Sequence, residues 1–98
     1  MTDKPYTAGF ISRYLDMLAG QRQLSDHTLE GYRRDLKELS AMAEPLTLPE
    51  IRPADLRRFI TRLHAGGLSP RSISRKLSAW RGFFLWLLEE NIITANPA

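Results

Sequence analysis

The 98-residue sequence contains no cysteine, which excludes disulfide bonds and thiolate metal sites and fits a reducing compartment. Its first residues include no apolar stretch of the length that a signal peptide needs. The longest apolar run, residues 83–88, is far too short to cross a membrane. We therefore predict a cytoplasmic location and no contact with membranes.

Motifs for catalysis or cofactor binding are also missing. The sequence has no glycine-rich phosphate loop, and His27 and His64 do not stand at a spacing typical of metal ligands. Asp35 and Glu38 are expected to be solvated or paired with neighbouring arginines rather than to act as a catalytic carboxylate couple. No nucleophile stands with a base. We predict no catalytic residue, no metal and no cofactor in this stretch of chain.

Positive charge is unevenly distributed, although the net charge is only +3. Between residues 52 and 81 there are eight basic side chains and a single acid, Asp55. This bias favours an anionic partner such as nucleic acid. The alternative is a solvated basic face that binds no ligand.

Apolar residues at helical spacing, separated by turn signals, predict four helices, and no stretch alternates as a half-buried strand would. We expect the helices at about residues 7–21, 25–44, 53–65 and 69–90, with a connector at 45–52 that contains two prolines. Ser25 and Ser69 are suited to be N-caps, and Gly66 with Gly67 supplies a stop signal. These patterns predict one all-α domain over residues 1–98.

One apolar stripe on each helix forms the predicted core. The second half of the last helix is apolar all round and is expected at the centre of the bundle. Trp86 is left between two interpretations, a core position or a contact with a neighbouring subunit. The stripe residues are Phe10, Ile11, Tyr14, Leu15 and Leu18, then Leu29, Tyr32, Leu36, Leu39 and Ala43, then Leu56, Phe59, Ile60 and Leu63, and finally Ile73, Leu77, Trp80, Phe84 and Leu87.

The first half of the last helix carries a polar face. Arg71 and Arg75 are four residues apart and share one side with Ser72, and Ala79 and Gly82 continue that side with almost no side chain. Such a surface is suited to enter a major groove, where arginine contacts guanine edges or phosphates. The other interpretation is that the small residues mark helix–helix packing inside the bundle.

Two further expectations concern the same helix. Its N-terminus offers free N–H groups and a positive dipole end to a phosphate, and Ser69, Arg71 and Ser72 are placed there. Arg81 lies beside the apolar stripe, so we expect it to be partly buried and paired with Asp35 or Asp55.

Two stretches resemble a known family. Residues 24–36, LSDHTLEGYRRDL, resemble the LSxxTLxxYxxDL opening of tyrosine recombinase core-binding domains. Residues 67–84, GLSPRSISRKLSAWRGFF, resemble their second signature, and Asn96-Pro97 matches their closing N-P. The resemblance extends from about residue 10 to 98 and is closest in wording to the Xer type, leaning to XerC over XerD. It implies a SAM-like orthogonal bundle of four to five helices.

The resemblance also implies a function. Tyrosine recombinases cut and rejoin DNA through a covalent tyrosine–phosphate bond, without metal or nucleotide cofactor. Their active site belongs to a carboxyl-terminal domain absent from these 98 residues, and Tyr6, Tyr14 and Tyr32 do not match its nucleophile. The stretch would be a monomeric module that binds double-stranded DNA, while the whole enzyme would resolve chromosome dimers in a tetramer with XerD-like protomers.

Contacts with DNA are implied by motif position on the second and fourth helices. Lys76 is expected at the rim, where it would suit a phosphate. Glu30 is expected on the same face, where a carboxylate near phosphates is unfavourable. Two alternatives stay open: an integrase of a phage or transposon with the same domain, and a helical protein-interaction module. The implied DNA-binding residues are Thr28, Gly31, Arg34, Ser69, Arg71, Ser72, Arg75, Lys76 and Ala79.

Overall fold

The computed structural model describes residues 5–22 and 24–98, and within them it contains four α-helices and no strand. A short 3-10 turn at Leu48–Glu50 lies in the connector between the second and third helices. The all-α prediction is therefore confirmed, and the helix boundaries agree with the expected ones to within two residues. The helices are α1 (Pro5–Arg22), α2 (Asp26–Ala43), α3 (Pro53–Ala65) and α4 (Pro70–Glu89).

Serine N-caps begin both α2 and α4. The Thr28 backbone N–H donates to Ser25 Oγ over 3.1 Å, and the Ser72 backbone N–H donates to Ser69 Oγ over 3.2 Å. Each bond satisfies one of the amide groups that a helix start leaves without a partner. The two helices that carry the predicted DNA contacts thus begin in the same way.

The third helix is fixed at both ends by its local sequence. At its start, the Arg52 backbone N–H donates to Asp55 Oδ2 over 2.9 Å, and a proline occupies the first helical position. At its end, Gly67 has a φ of 95°, a left-handed value that favours glycine. The Leu68 N–H then donates to the Leu63 carbonyl over 3.2 Å, which closes the helix in the manner of a Schellman turn.

The last helix lies at the centre of the bundle and contacts each of the other three. Its inner side chains Trp80, Phe83, Phe84 and Leu87 are fully buried. Leu85 is the exception, since half of its surface is exposed. The prediction that every residue from 83 to 88 is enclosed is therefore wrong at this position.

Aromatic rings join α1 to α4. The Tyr14 ring centroid lies 5.4 Å from that of Phe83 and 5.6 Å from that of Trp86. Such tilted pairs stabilise by about 0.5–1.5 kcal/mol beyond the area they bury. Trp86 is 8% exposed, so of its two interpretations the core position is confirmed.

Candidate nucleic-acid interface

A groove of about 300 Å³ lies between the start of α2 and the first half of α4. It brings together four of the residues that the sequence singled out, Thr28, Gly31 and Arg34 from α2 and Arg75 from α4. We call this feature the α2–α4 groove. Its lining residues are His27, Thr28, Gly31, Tyr32, Arg34, Asp35 and Arg75.

Arginines from two helices line the α2–α4 groove. Arg34 is exposed, and the Arg75 side chain is 53% exposed. Gly31 also lines the groove and has no side chain, and a Cβ built there would be 3.9 Å from Arg34 Nη2. The groove therefore presents guanidinium groups over an uncrowded stretch of helix backbone.

The start of α4 lies one turn before Arg75 and outside the lining of the groove. Arg71 is exposed there and makes no ion pair within the part of the chain that the structure describes. At the helix end itself, Pro70 has no N–H and the Ser72 N–H is already bonded to Ser69 Oγ. The expectation of free N–H groups at this end therefore does not hold for residues 70 and 72, and Arg71 is the charged group there.

Lys76 does not lie at the rim as expected. It is 8% exposed, and its Nζ lies 2.9 Å from Asp35 Oδ1 and 2.6 Å from Glu38 Oε1. On a helical wheel of about 100° per residue, Lys76 falls only about 40° from Trp80. That offset places it inside the apolar stripe, and it is the signal that could have identified a buried lysine.

The environment of Lys76 favours its charged form. Burial alone would lower the pKa of its ammonium group, but the close contacts with Glu38 and Asp35 and the charges of both carboxylates outweigh that effect. The net result is a pKa above the ordinary value of 10.5. Asp35 and Glu38 were expected to be solvated or paired with arginine, and their closest partner is this lysine.

The small residues of α4 face another helix rather than a ligand. Ala79 is 5% exposed, and a Cβ built on Gly82 would lie 2.6 Å from Tyr14 Oη on α1. Of the two interpretations of this strip, helix–helix packing is therefore the one that the structure supports. Ala79 is a correction to the open face that we expected, because it is buried.

Arg81 also departs from expectation. It is exposed, and among the described residues it forms no ion pair. The two acids suggested as its partners are engaged elsewhere, Asp35 by Lys76 and Arg75, and Asp55 by Arg58. The helical wheel explains why Lys76 and not Arg81 contacts Asp35. Lys76 lies about 40° from Trp80 and Arg81 about 100°, so Lys76 is closer to the side of α4 that faces α2.

A second group of arginines lies on the outer face of α3. Arg57, Arg58 and Arg62 surround a shallow depression whose other lining residues are Ala54 and Thr61. The basic bias between residues 52 and 81 therefore divides between two surfaces, and only the α4 part reaches the α2–α4 groove. The arginines of α3 provide charge-matched controls for those of the groove.

Glu30 does not enter the groove. Its side chain is 67% exposed, and its Oε1 lies 4.0 Å from Arg33 Nε one turn along the same helix. Asp35 is instead the one carboxylate among the groove's lining residues. It is 1% exposed, so it lies in the wall rather than on the open surface.

Two other kinds of site are absent from the described part of the chain. Over residues 5–22 and 24–98, the structure has no cluster of three or more acidic or histidine side chains that could hold a metal ion. In the same ranges, no helix is both long and apolar enough to span a bilayer.

Comparison with known families agrees with this geometry. The family described as phage integrase, N-terminal SAM-like domain, matches residues 11–91. The chain belongs to this family, so the all-helical architecture described above is a SAM-like domain. No solved structure matches the chain significantly.

Curated relatives narrow the resemblance to one kind of protein. The chain is 47% identical over 92 residues to tyrosine recombinase XerC 1 of Ralstonia nicotianae, an alignment that covers 89% of this chain and 28% of the relative. It is 44% identical over 91 residues to tyrosine recombinase XerC of Pseudomonas aeruginosa, covering 90% of this chain and 30% of the relative. The chain thus spans under a third of the length of these relatives, and its resemblance to XerC-like recombinases is confirmed.

Proposed function

We propose that this chain is the DNA-binding domain of a site-specific tyrosine recombinase and that it holds one half-site of a duplex in the α2–α4 groove. The observation that carries the proposal is the convergence of Arg34 and Arg75, from two different helices, on one groove beside Thr28. The similarity to tyrosine recombinases supports the same conclusion.

The chemistry of the groove suits a duplex. Guanidinium groups bind phosphate oxygens and guanine edges through paired N–H donors, and a threonine hydroxyl adds a neutral contact. Arg71 extends the positive surface by one turn of α4. Arg34 and Arg71 carry charges that no carboxylate of the described chain neutralises, so they are the groups that contact phosphates.

The wider proposal concerns the whole enzyme. The catalytic tyrosine and its supporting residues belong to a carboxyl-terminal domain, and residues 1–98 form a separate module that binds DNA without cleaving it. The parent enzyme works without metal or nucleotide cofactor and resolves chromosome dimers in the cytoplasm. It acts in a tetramer with XerD-like protomers, whereas the isolated module is monomeric.

Titration with duplex DNA over a range of salt concentrations tests the proposal. Two phosphate contacts predict a log–log slope of about −1.8, at about −0.9 per phosphate, and a dissociation constant on the order of 10⁻⁴–10⁻⁶ M. Arg34→Ala and Arg71→Ala should each weaken binding and reduce the magnitude of the log–log slope by about 0.9. Arg57→Ala on α3 removes the same charge outside the groove and should leave the slope unchanged.

Two results would contradict the proposal. Absence of any salt-dependent binding by the wild-type domain would favour the alternative of a protein-interaction module. Equal losses from Arg34→Ala and Arg57→Ala would instead indicate that DNA responds to overall charge and not to the α2–α4 groove.

A further inference from the structure

The single carboxylate in the wall of the α2–α4 groove makes contacts that binding to DNA does not explain. Asp35 Oδ1 accepts a hydrogen bond from Lys76 Nζ over 2.9 Å, and Asp35 Oδ2 lies 3.5 Å from Arg75 Nη1. Its side chain is only 2% exposed. One buried acid therefore contacts both a buried lysine and the exposed arginine of the groove.

The position of Asp35 is itself fixed from both sides. Its backbone carbonyl accepts a hydrogen bond from Trp80 Nε1 over 2.9 Å, and Trp80 is fully buried. Lys76 stands one turn before Trp80 on α4, so two residues of that helix hold this one residue of α2. The Asp35 carboxylate is therefore fixed in place, and its contact with the Arg75 guanidinium restricts that side chain.

The pairing leaves part of the guanidinium available. Arginine has five N–H donors in a planar fork, and Asp35 contacts only Nη1 of Arg75. With more than half of its side chain exposed, Arg75 still presents the other edge to the groove. Its charge, however, is already partly neutralised, and because the carboxylate is buried, salt screens this pair less than it screens pairs in water.

We propose that Asp35 is a positioning residue for DNA recognition, which holds Arg75 toward base edges and prevents it from acting as one more freely moving phosphate contact. The proposal rests on the DNA-binding function proposed above. An arginine neutralised by a fixed carboxylate releases fewer counterions when DNA binds, so it adds little to salt dependence. Its held orientation suits the paired donors that read a guanine.

The test compares salt dependence among variants that differ only at this network. Asp35→Asn/Lys76→Met removes one negative and one positive charge, so net charge is unchanged, and Glu38, which loses its contact with Lys76, has a side chain that is 37% exposed to solvent. With Arg75 free to reach a phosphate, the slope should steepen by about 0.9 relative to wild type. Adding Arg75→Gln to this double variant should restore the wild-type slope.

A second measurement detects the contact between Asp35 and Arg75 in the absence of DNA. In nitrogen-15 spectra of arginine side chains, Arg75 of the wild-type domain should give a resolved, slowly averaging guanidinium signal. The double variant should lose that signal while the exposed Arg57 is unchanged. Circular dichroism and urea unfolding confirm that each variant is folded before the comparison is made.

The outcomes separate the two proposals. If the wild-type domain shows no salt-dependent binding, the proposed DNA-binding function fails and the role of Asp35 in recognition fails with it. If the wild-type domain binds DNA but the double variant keeps the same slope, only the positioning role is overturned. A steeper slope that persists after Arg75→Gln also overturns it, because the effect would not act through Arg75.

Discussion

The indole N–H of Trp80 donates a hydrogen bond to the backbone carbonyl of Asp35 over 2.9 Å. This bond joins the middle of α4 to the middle of α2, with both residues almost wholly buried. A helix carbonyl already accepts a bond within its own helix, and the second bond uses its remaining lone pair. The two helices that line the α2–α4 groove are thereby held at one relative position.

Removing the indole donor should therefore weaken the bundle. We expect Trp80→Phe to reduce the free energy of unfolding by about 0.5–1.5 kcal/mol more than the matched variant Trp86→Phe, because a buried bond is lost only in the first case and the Asp35 carbonyl keeps its bond within α2. Trp86 is also buried, but within the described chain its indole nitrogen makes no hydrogen bond. Urea unfolding of both variants measures the difference, and equal losses would show that the bond contributes nothing.

Replacing two helical glycines by alanine should change the stability of the domain in opposite directions. At Gly82 the added methyl would lie 2.6 Å from Tyr14 Oη, and the Tyr14 ring is enclosed between Phe83 and Trp86. Because Tyr14 is buried and packs against both rings, moving it would cost these contacts, so we expect Gly82→Ala to destabilise the domain by about 1–3 kcal/mol. Thermal or urea unfolding measures this loss.

Gly31→Ala is the matched control on α2. Its new methyl would meet only Arg34 Nη2, at an ordinary contact distance of 3.9 Å. Alanine is favoured over glycine inside a helix by about 0.8–1.0 kcal/mol, so this variant should be more stable than the wild type. The close approach of α1 to α4 would be contradicted if both alanine variants gained stability.

The sequence predicted the helices and most of the core because these depend on local signals. Apolar spacing, two serine caps and the glycine stop after α3 act over a few residues, and all of them operate as expected. The polar side chains were harder to place, because their partners are distant in sequence. Asp35 and Lys76 are 41 residues apart, and neither stripe reveals that the two helices bring them together.

The candidate site could be predicted only in part, because its geometry depends on how distant helices pack. The residues Thr28, Gly31, Arg34 and Arg75, which the family resemblance singled out as DNA contacts, line one groove. Whether an individual small residue on α4 faces solvent or α1 depends on the packing of α1, which the sequence of α4 does not contain. Ala79 was therefore assigned to the wrong side of the surface.

Alkaline pH should weaken the contact between α2 and α4. The pKa of Lys76 lies above its ordinary value of 10.5, which the unfolded chain retains. The stabilisation is therefore fully present below pH 10.5 and is lost as the pH rises through the higher folded-state pKa. The free energy of unfolding, measured in urea from pH 9 upward, should decline, and part of this decline should come from deprotonation of Lys76.

The charge-neutral variant Asp35→Asn/Lys76→Met supplies the control for this decline. It has no ammonium group at position 76, so the component from Lys76 should vanish. Parallel decline of the two proteins would contradict the assignment to Lys76.

Acidic pH should act on a different part of the fold, the start of α3. The backbone N–H of Arg52, and after it the side chain of Arg58, lower the pKa of Asp55 below its ordinary value of 3.8. A carboxyl with a depressed folded-state pKa stabilises the domain above pH 3.8, and that stabilisation is lost as the pH falls through the folded-state pKa. We expect Asp55→Asn to be less stable than wild type at pH 6 and the difference to shrink steadily below pH 3.8. Urea unfolding of both proteins between pH 2 and 6 measures this convergence, and a constant difference across the range would show that the Asp55 carboxylate does not cap α3.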